Sequence, residues 1–171
     1  VAVTIDGVRI ISAYLPNGEA VGSEKFDYKM GFFRELRRWL DQRYDPSEPL
    51  ALCGDFNVTV DERDLHNPEQ MRGDCPFSQP ELDALDHIRD FGFTDCFRMH
   101  HEEGGRYSWW DFRGGMFWKG LGMRIDHIWA TKPLADRCTE CDIDERPRRW
   151  KRPSDHTVVS AQFPEEPSEE T

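Results

Sequence analysis

Hydrophobic and polar positions along the chain predict strands interleaved with two amphipathic helices. Apolar and polar residues alternate from Val1 to Leu15 around the pair Asp6-Gly7, which is typical of a β-hairpin with a tight turn. Apolar residues recur at helical spacing from Lys25 to Tyr44, and again from Ser78 to Phe91, where Ser78 and Glu81 predict a capping box. The order of these elements predicts an α/β layered fold.

Shorter apolar segments predict the remaining strands. The segment from Leu50 to Gly54 is mostly apolar, as in a strand that is buried on both faces, and Arg124 to Ala130 and Thr157 to Phe163 also have strand-like composition. Two further segments, Phe93 to Phe97 and Cys138 to Asp144, predict short extended pieces.

Long connections separate these elements. Asn57 to Phe77 is a polar loop, Arg106 to Met123 is crowded with aromatic residues, and Arg146 to Pro153 is basic. Loops of this length inside a compact domain are usually functional or mobile. We predict one domain over residues 1–163, followed by an acidic, proline-rich tail at residues 164–171 whose composition predicts disorder.

Composition narrows the class of protein. The chain of 171 residues has a formal net charge of −11, which argues against a surface that binds polyanions everywhere but allows a local basic patch. It has no apolar run near the roughly 18 residues of a membrane span. Its first residues alternate like a strand, unlike a signal peptide. We therefore expect no membrane partner and a cytoplasmic location, in a chain that starts partway through a longer gene product.

The cysteines fit a reducing compartment. There are five of them at irregular spacings, which argues against a disulfide framework. Cys138 and Cys141 form a single C-x-x-C pair, whereas a structural zinc site needs a second pair of ligands. His100 and His101 are the available candidates, and nothing in the sequence directs them there. We therefore interpret the pair as ordinary reduced cysteines and keep zinc as the weaker alternative.

Three segments place acids at or inside predicted strands: Gly54-Asp55-Phe56-Asn57, Arg124-Ile125-Asp126-His127 and Ser154-Asp155-His156. Taken singly, each fits a turn residue, a local ion pair or a solvated loop. Together they favour chemistry, because Asp126 lies inside an apolar strand and needs a partner, for which a histidine ring nitrogen is suited. Asp55 and Asn57 supply the hard oxygen ligands that Mg²⁺ prefers, and the pattern favours metal-assisted hydrolysis of a phosphate ester.

These segments carry a family resemblance. LCGDFNV, RIDHI and PSDHTVV resemble three motifs of the endonuclease/exonuclease/phosphatase superfamily. SAYLPNGE and RYSWWDFRGGMFWKGLGMRIDHI are similar to segments of its exonuclease III-like apurinic/apyrimidinic (AP) endonucleases, and the resemblance runs from about Val8 to Phe163. It implies part of a four-layered α/β sandwich, in which two packed mixed β-sheets are flanked by helices.

The resemblance also implies an activity and residue roles. The implied enzyme depends on Mg²⁺, with Mn²⁺ as the alternative metal. It cleaves double-stranded DNA at abasic sites and trims 3′ ends, as an AP endonuclease, 3′–5′ exonuclease and 3′-phosphodiesterase of base excision repair. Asp55 would activate the attacking water, Asn57 would bind the phosphate or the water, and Tyr14 would reach the scissile phosphate. Asp126 would orient His156, which would donate to a phosphate oxygen.

A metal site and a further partner are implied as well. The implied ligands are Asp55, Asn57, Asp155 and His156, and Asn17 would help to form the same pocket. The family's domain has a preceding part that carries an Asn and the principal metal-binding Glu, and no counterpart of either precedes Tyr14. We therefore expect that the N-terminal portion of the domain is missing and that the chain needs it as a partner.

The aromatic and basic loops are the expected DNA contacts. Trp109 and the stretch that ends at Met123 would fill the space left by a missing base, although dense aromatic runs more often pack in a core. Arg148, Arg149 and Lys151 belong to a run of four arginines and one lysine beside Ser154-Asp155-His156. Contact with backbone phosphates is weighed there against a solvated charged face.

Two alternatives stay open. The first is a superfamily phosphatase that acts on a small or lipid phosphate. The second is a non-catalytic fragment that binds DNA or a partner half, which the absent metal-binding Glu keeps open. The run Trp109-Trp110 and the basic loop favour the nuclease.

Overall fold

A five-stranded mixed sheet forms the centre of the computed structural model, which describes residues 1–164. The two long helices pack on one face of this sheet, and a two-stranded antiparallel sheet packs on the other together with two short helices. The strands are β1 (Ala2–Ile5), β2 (Val8–Ser12), β3 (Leu50–Asp55), β4 (Phe93–Asp95), β5 (Asp126–Thr131), β6 (Glu140–Asp144) and β7 (Val158–Gln162). The helices are α1 (Glu24–Arg43), α2 (Pro68–Met71), α3 (Gln79–Arg89), α4 (Cys96–His100), α5 (Met116–Lys119) and α6 (Lys132–Ala135). The mixed α/β class predicted from the sequence is confirmed.

Strand register brings two of the candidate acids to one edge of the large sheet. The strand order is β1-β2-β3-β5-β4, with β2 and β3 parallel and the other neighbours antiparallel. β3 and β5 pair so that Asp55 lies directly opposite Asp126 at the end of their ladder. The predicted hairpin is confirmed as β1 and β2, where Asp6 and Gly7 have positive φ values of 46° and 77° that suit a two-residue turn.

The apolar stripes of α1 and α3 form the main core against the large sheet. The helix residues buried there are Phe33, Leu36, Leu40, Leu85 and Ile88. Ser23 caps α1 by accepting from the N–H of Phe26 at 3.1 Å, and the capping box predicted for α3 is present between Ser78 and Glu81. Both predicted helices are therefore confirmed, with ends set by side-chain caps.

A second core lies between the large sheet and the β6–β7 sheet. It contains Cys96, Cys138 and Cys141, which are buried free thiols, and burial raises the pKa of each thiol. Among residues 1–164, the side chains grouped closely enough to hold a metal ion include no cysteine. Buried thiols of this kind pack as small apolar groups.

Short helices occupy several segments that the sequence predicted as extended or as loops. Phe93 to Phe97 is a strand only as far as Asp95, because the Asp95 side chain accepts from the N–H of Phe97 at 3.0 Å and caps α4. The polar loop contains a 3₁₀ turn at Glu62–Asp64 and α2, and the aromatic loop contains a 3₁₀ turn at Arg113–Gly115 and α5. The basic loop begins with a 3₁₀ turn at Arg146–Arg149. Side-chain caps mark the starts of α4, α2 and the turn at Glu62–Asp64, and hydrophobic periodicity does not reveal such short elements.

Two further predictions concern membrane-spanning helices and the acidic C-terminal tail. Within residues 1–164, every helix is too short or too polar to span a bilayer. The predicted acidic tail lies, from residue 165 onward, outside the described residues.

Candidate active site

The end of β3 carries Asp55 and Asn57 into a cleft beside the segment that follows β2. Gly54 has a φ of 133°, and a Cβ at this position would lie 2.0 Å from the carbonyl oxygen of Ala13. Glycine therefore allows the two backbones to approach closely. The N–H of Leu15 donates to the carbonyl of Asp55 at 2.9 Å, which places the Tyr14–Asn17 segment along one wall of the cleft.

Asn57 is held in a left-handed conformation by a dense set of hydrogen bonds. Its φ is 51°, and its N–H donates to Oδ1 of Asp55 at 2.8 Å. The Asn57 amide donates to Oδ2 of Asp55 at 3.1 Å and to the carbonyl of Leu15 at 2.9 Å, and its Oδ1 accepts from Asn17 at 3.1 Å. Phe56 between them is fully buried. Asp55 at the end of the strand and Asn57 in its left-handed turn thus line the cleft, while Phe56 between them packs in the core.

The partner of Asp126 is His156, which approaches from the loop before β7. Nδ1 of His156 lies 2.9 Å from Oδ2 of Asp126, and its Nε2 lies 3.9 Å from Oδ2 of Asp55. The same Asp126 oxygen accepts from the hydroxyl of Ser108 at 2.7 Å. Ser108 is fully buried, and its oxygen also accepts from the N–H of Asp126 at 3.0 Å. Asp126 therefore fixes the histidine ring and leaves Nε2 facing Asp55.

Sequence reasoning missed Ser108 as a site residue. The Ser-Trp-Trp run contributed only to the family resemblance, and a serine in an aromatic loop carries no signal of its own. A hydroxyl that accepts from a strand N–H and donates to a strand carboxylate can be recognised only once the loop is folded against β5.

The cleft shifts the pKa values of Asp55 and His156 in ways that suit acid–base chemistry. Burial is the largest influence on Asp55 and raises the pKa of its carboxyl to about 6, with the charge of Asp126 adding to the rise. The hydrogen bond to Asp126 is the largest influence on His156 and raises the pKa of the imidazole, with the charge of Asp55 also favouring the protonated ring. A carboxylate of raised basicity thus faces a ring whose protonated form is favoured.

Asp155 lies on the aromatic side of the same cleft. Nε1 of Trp109 donates to Oδ2 of Asp155 at 3.1 Å, and the N–H of Trp110 donates to the Asp155 carbonyl at 3.0 Å. Trp109 and Met123 are paired through backbone hydrogen bonds of 2.9 and 3.0 Å. The aromatic loop is therefore anchored to the segment that carries His156.

One cleft of about 400 Å³ brings most of the predicted site residues together. Those that line it are Tyr14, Asn17, Asp55, Asn57, Trp109, Met123, Asp155 and His156. Asp126 lies behind His156 and acts on the cleft through that ring. Glu19 and Cys75 also line the cleft and were not predicted. Tyr14 is 68% exposed, so its hydroxyl lies at the open side.

The described residues contain a group of side chains close enough to hold a metal ion. Ligand atoms of Asp55, Asp126 and His156 all lie within 4.8 Å of one another. Asp126, however, is already committed to His156 and Ser108. The donors that remain open to the cleft are carboxylate and amide oxygens, which suit a hard divalent cation.

The basic loop divides into a buried and an exposed part. Arg148 is only 5% exposed, and its guanidinium carbon lies 5.7 Å from the ring centre of Trp110 and 5.2 Å from that of Phe117. Arg149 and Lys151 are exposed, with Arg149 lying over the outer aromatic rings of the same loop. The structure thus contradicts the prediction for Arg148: its side chain stabilises the aromatic loop by cation–π contact, and only the other two remain available for phosphates.

The layered α/β fold, with a cleft lined by acids, amides and an Asp–His pair, fits the phosphoesterase class of proteins. The chain belongs to the Endonuclease/Exonuclease/phosphatase family, whose sequence model matches residues 3–156. The resemblance inferred from the sequence motifs is therefore confirmed.

Individual relatives narrow the comparison. The chain is 32% identical over 162 residues to exodeoxyribonuclease III from Haemophilus influenzae, covering 90% of this chain and 61% of the relative. It superposes on an AP endonuclease from Archaeoglobus fulgidus with a TM-score of 0.91 and 35% identity, covering 95% of this chain and 63% of the other. It is similarly close to the 3′ phosphatase NExo from Neisseria, solved with a product DNA hairpin (TM-score 0.90, 37% identity, 95% and 63% covered). The chain thus spans about three fifths of the length of these relatives.

Proposed function

We propose that this chain carries the hydrolytic cleft of a DNA repair nuclease that cleaves double-stranded DNA at abasic sites and trims 3′ ends. The main observation behind the proposal is that two pairs of side chains, Asp55–Asn57 and Asp126–His156, face each other. Nε2 of His156 lies 3.9 Å from Oδ2 of Asp55. The nuclease relatives support DNA as the substrate over other phosphate esters.

Asp55 acts as the general base in this proposal. Its pKa of about 6 leaves the carboxylate mostly ionised at neutral pH while keeping it basic enough to accept a proton from water. Two donors from Asn57, at 2.8 and 3.1 Å, fix one lone pair of each carboxylate oxygen and leave the others toward the cleft. The attacking water is therefore placed by a carboxylate that cannot rotate.

His156 acts as the proton-bearing donor to the phosphate. Its Nδ1 is committed to Asp126, so the Nε2–H points into the cleft toward the position where charge develops on a phosphate oxygen. Tyr14, exposed at the rim, offers its hydroxyl to the same phosphate. Asn57 differs from the role implied by resemblance, because both of its amide hydrogens are already used within the protein. It positions Asp55 instead of binding the phosphate.

Mg²⁺ fits the oxygen donors of the cleft. Asp55, Asn57 and Asp155 would hold it, since a small cation that keeps several waters needs few protein ligands. Mn²⁺ prefers similar ligands. His156 could be a ligand only through Nε2 of the neutral ring, since Nδ1 is committed to Asp126; as the proton donor proposed above, it is not one. When bound, the cation supplies charge neutralisation on the phosphate oxygens.

The aromatic and basic surface beside the cleft supports a DNA substrate. Trp109 and Met123 line the cleft wall, and Trp118 on the same loop is 71% exposed. Arg149 lies with its guanidinium carbon 5.5 Å from the Trp118 ring centre, and Lys151 is exposed nearby in sequence. Cations beside apolar wedges suit a nucleic acid whose phosphates and unstacked sugar are bound together.

A second candidate is removal of a terminal 3′ phosphate from DNA. The Neisseria relative that is described as a 3′ phosphatase favours it. Both reactions use the same base and the same donor, and in both the 3′ oxygen of DNA leaves the phosphorus; they differ in whether that phosphorus also carries a 5′ ester. A phosphatase for small phosphate esters and a non-catalytic DNA-binding role complete the set that an assay must separate.

The test offers three substrates to the protein with Mg²⁺: a duplex with an abasic site, a nicked duplex with a 3′ phosphate, and a small aryl phosphate. It is run with this chain alone and with the part of the Haemophilus influenzae relative that this chain does not cover added to it. We expect cleavage of DNA substrates and none of the aryl phosphate. Asp55→Asn and His156→Ala should each lower kcat by about 10²–10⁴-fold. The pH–rate profile should be bell-shaped, rising as Asp55 ionises and falling as His156 loses its proton.

Matched controls are Asp83→Asn and His87→Ala, which change the same residue types on the exposed face of α3. These should leave kcat unchanged. DNA binding without cleavage in any arm would favour the non-catalytic role, and hydrolysis of the aryl phosphate alone would favour the small-ester phosphatase. Activity of Asp55→Asn within about threefold of wild type would exclude Asp55 as the base.

A further inference from the structure

A buried lysine lies directly beneath the cleft. Lys29 on α1 is fully buried, on a helix face whose other buried members include Phe26 and Phe33. Its ammonium donates to the carbonyl of Asn57 at 2.8 Å and to the carbonyl of Asn17 at 3.3 Å, and it also donates to Glu81. The three N–H groups of an ammonium thus meet three acceptors.

Glu81 anchors this lysine from α3. Its other carboxylate oxygen accepts from the N–H of Ser78 at 3.0 Å and from the Ser78 hydroxyl at 2.7 Å, so the capping box of α3 holds the carboxylate in place. Glu81 and Lys29 are both fully buried. A buried ion pair is costly to desolvate and persists when its remaining hydrogen bonds are made, as they are here.

The lysine side chain also shapes the loop that leads into the cleft. Gly18 has a φ of 80°, and a Cβ there would lie 2.7 Å from Cδ of Lys29. The loop residue after Asn17 therefore has no room for a side chain, because the lysine stem occupies that space.

The two carbonyls that Lys29 binds belong to residues that line the cleft. Asn57 is the non-glycine residue in the left-handed region whose amide holds Asp55, and Asn17 donates to the Asn57 side chain at 3.1 Å. Asparagine enters the left-handed region more readily than most residues, and contacts at its backbone and side chain select that conformation over the extended one. The Lys29 ammonium supplies one of these contacts at the Asn57 carbonyl.

We infer that Lys29 is a positioning residue, which sets the geometry of Asn17 and Asn57 and, through Asn57, the orientation of the Asp55 carboxylate. The catalytic consequence rests on the proposed function, whereas the geometric claim does not. Any buried ammonium needs acceptors, and two of the three that Lys29 uses are carbonyls of residues on the walls of the cleft. The pair Lys29–Glu81 thus connects both packed helices to the site without touching substrate.

The first experiment separates positioning from stability. The test variants are Lys29→Met and the double variant Lys29→Met/Glu81→Gln. The matched control is Arg37→Met. Arg37 is also a cation on α1 that binds a carbonyl of α3, that of His87, but it lies away from the cleft. The double variant leaves no unpaired buried charge and should fold. We expect its kcat on the abasic duplex to fall about 10- to 100-fold, with KM within about twofold of wild type, because a misplaced group costs rate and not binding. Arg37→Met should keep wild-type kcat.

The second experiment needs no catalysis. NMR of the side-chain amides of Asn17 and Asn57 reports their hydrogen bonds directly. Gly18→Ala displaces the Lys29 stem while keeping its charge. Gly22→Ala, at a similar φ of 82° with nothing within 4 Å of the added Cβ, controls for backbone strain. We expect Gly18→Ala and the double variant to shift both amides and to speed their hydrogen exchange about tenfold, with no change in Gly22→Ala.

Wild-type amide spectra and wild-type kcat in the folded double variant would overturn the inference and leave Lys29 as packing. Should neither lysine variant fold, unchanged amides in Gly18→Ala would overturn it equally. Absence of DNA cleavage by the wild-type protein would contradict only the proposed function. The NMR comparison would still decide whether Lys29 sets the geometry of Asn17 and Asn57.

Discussion

Removal of the Arg124 guanidinium should remove a large part of the protein's free energy of unfolding. Arg124 is fully buried just before β5 and donates to Asp64 at 2.7 and 2.9 Å and to Asp95 at 3.2 and 2.7 Å. It also lies 3.1 Å from Nδ1 of His127, whose Nε2 lies 2.9 Å from the carbonyl of Val58. In Arg124→Met, Asp95 would remain buried without its cation, whereas Asp64 would keep only its ion pair with Arg98, whose side chain is 10% exposed.

The size of the expected loss in stability follows from the burial of Arg124 and of the two carboxylates that it binds. The side chains of Arg124 and Asp64 are 0% exposed and that of Asp95 is 8% exposed, so solvent cannot take over the lost contacts. Breaking a buried pair by removing one partner costs about 3–5 kcal/mol. A domain's free energy of unfolding is about 5–15 kcal/mol. The substitution should therefore remove a large fraction of the free energy of unfolding.

The assay is urea unfolding at pH 7, with Arg113→Met as the matched control because Arg113 pairs with Asp111 at 91% side-chain exposure. The control should leave the midpoint unchanged, while Arg124→Met should lower the free energy of unfolding by about 3–5 kcal/mol at an unchanged m-value. A loss below about 1 kcal/mol would refute the reasoning, since it would mean that the carboxylates are stable in the core without the arginine.

Acid gives an independent check on the same network. Burial alone would raise the pKa values of Asp64 and Asp95, but Arg124 overcomes it and holds both below the ordinary range. Because the folded pKa values are lowered, the wild-type contribution is complete above the unfolded pKa and is lost as pH falls through the folded values. In Arg124→Met, burial acts on Asp95 without its cation, so protonation at low pH relieves that unpaired charge. The difference in stability between the two proteins should therefore shrink as the pH is lowered.

Three further predictions concern the cleft and its surroundings. Asp126→Asn should move the alkaline limb of the pH–rate profile to lower pH, because the pKa of His156 is raised mainly by its bond to that carboxylate. Gly54→Ala should lower the free energy of unfolding by at least about 3 kcal/mol in urea melts, since the added Cβ would meet a backbone carbonyl at 2.0 Å. Arg149→Gln/Lys151→Gln should reduce the slope of log binding constant against log salt by about 2 in DNA titrations.

Each of these has a result that contradicts it. An unmoved alkaline limb in Asp126→Asn would mean that another group controls the loss of activity. A stable Gly54→Ala would mean that the strand end can separate from its neighbour. An unchanged salt slope would take Arg149 and Lys151 off the DNA path, and Lys132→Gln, an exposed lysine on α6, gives the baseline for a cation elsewhere on the surface.

Much of the fold could be predicted because it depends on local periodicity. Alternation around Asp6-Gly7 fixed the hairpin, and the apolar stripe of α1 fixed that helix. Ser78 with Glu81 marked the start of α3 through a cap that spans three residues. The short helix α4 was missed, since it depends on how Asp95 turns at the end of a strand.

The sequence by itself determined which side chains have to be explained: Asp55 and Asn57 at a strand end, and Asp126 inside a strand that needs a partner. Only the tertiary structure decided which groups meet. Asp55 faces Asp126 through strand register, and Ser108, Lys29 and Glu81 join the site from distant parts of the chain. The same is true of Arg148, which a run of basic residues cannot distinguish from its exposed neighbours. The physical reason is that periodicity reports which face of an element is buried, whereas the partner of a buried polar group is set by long-range packing.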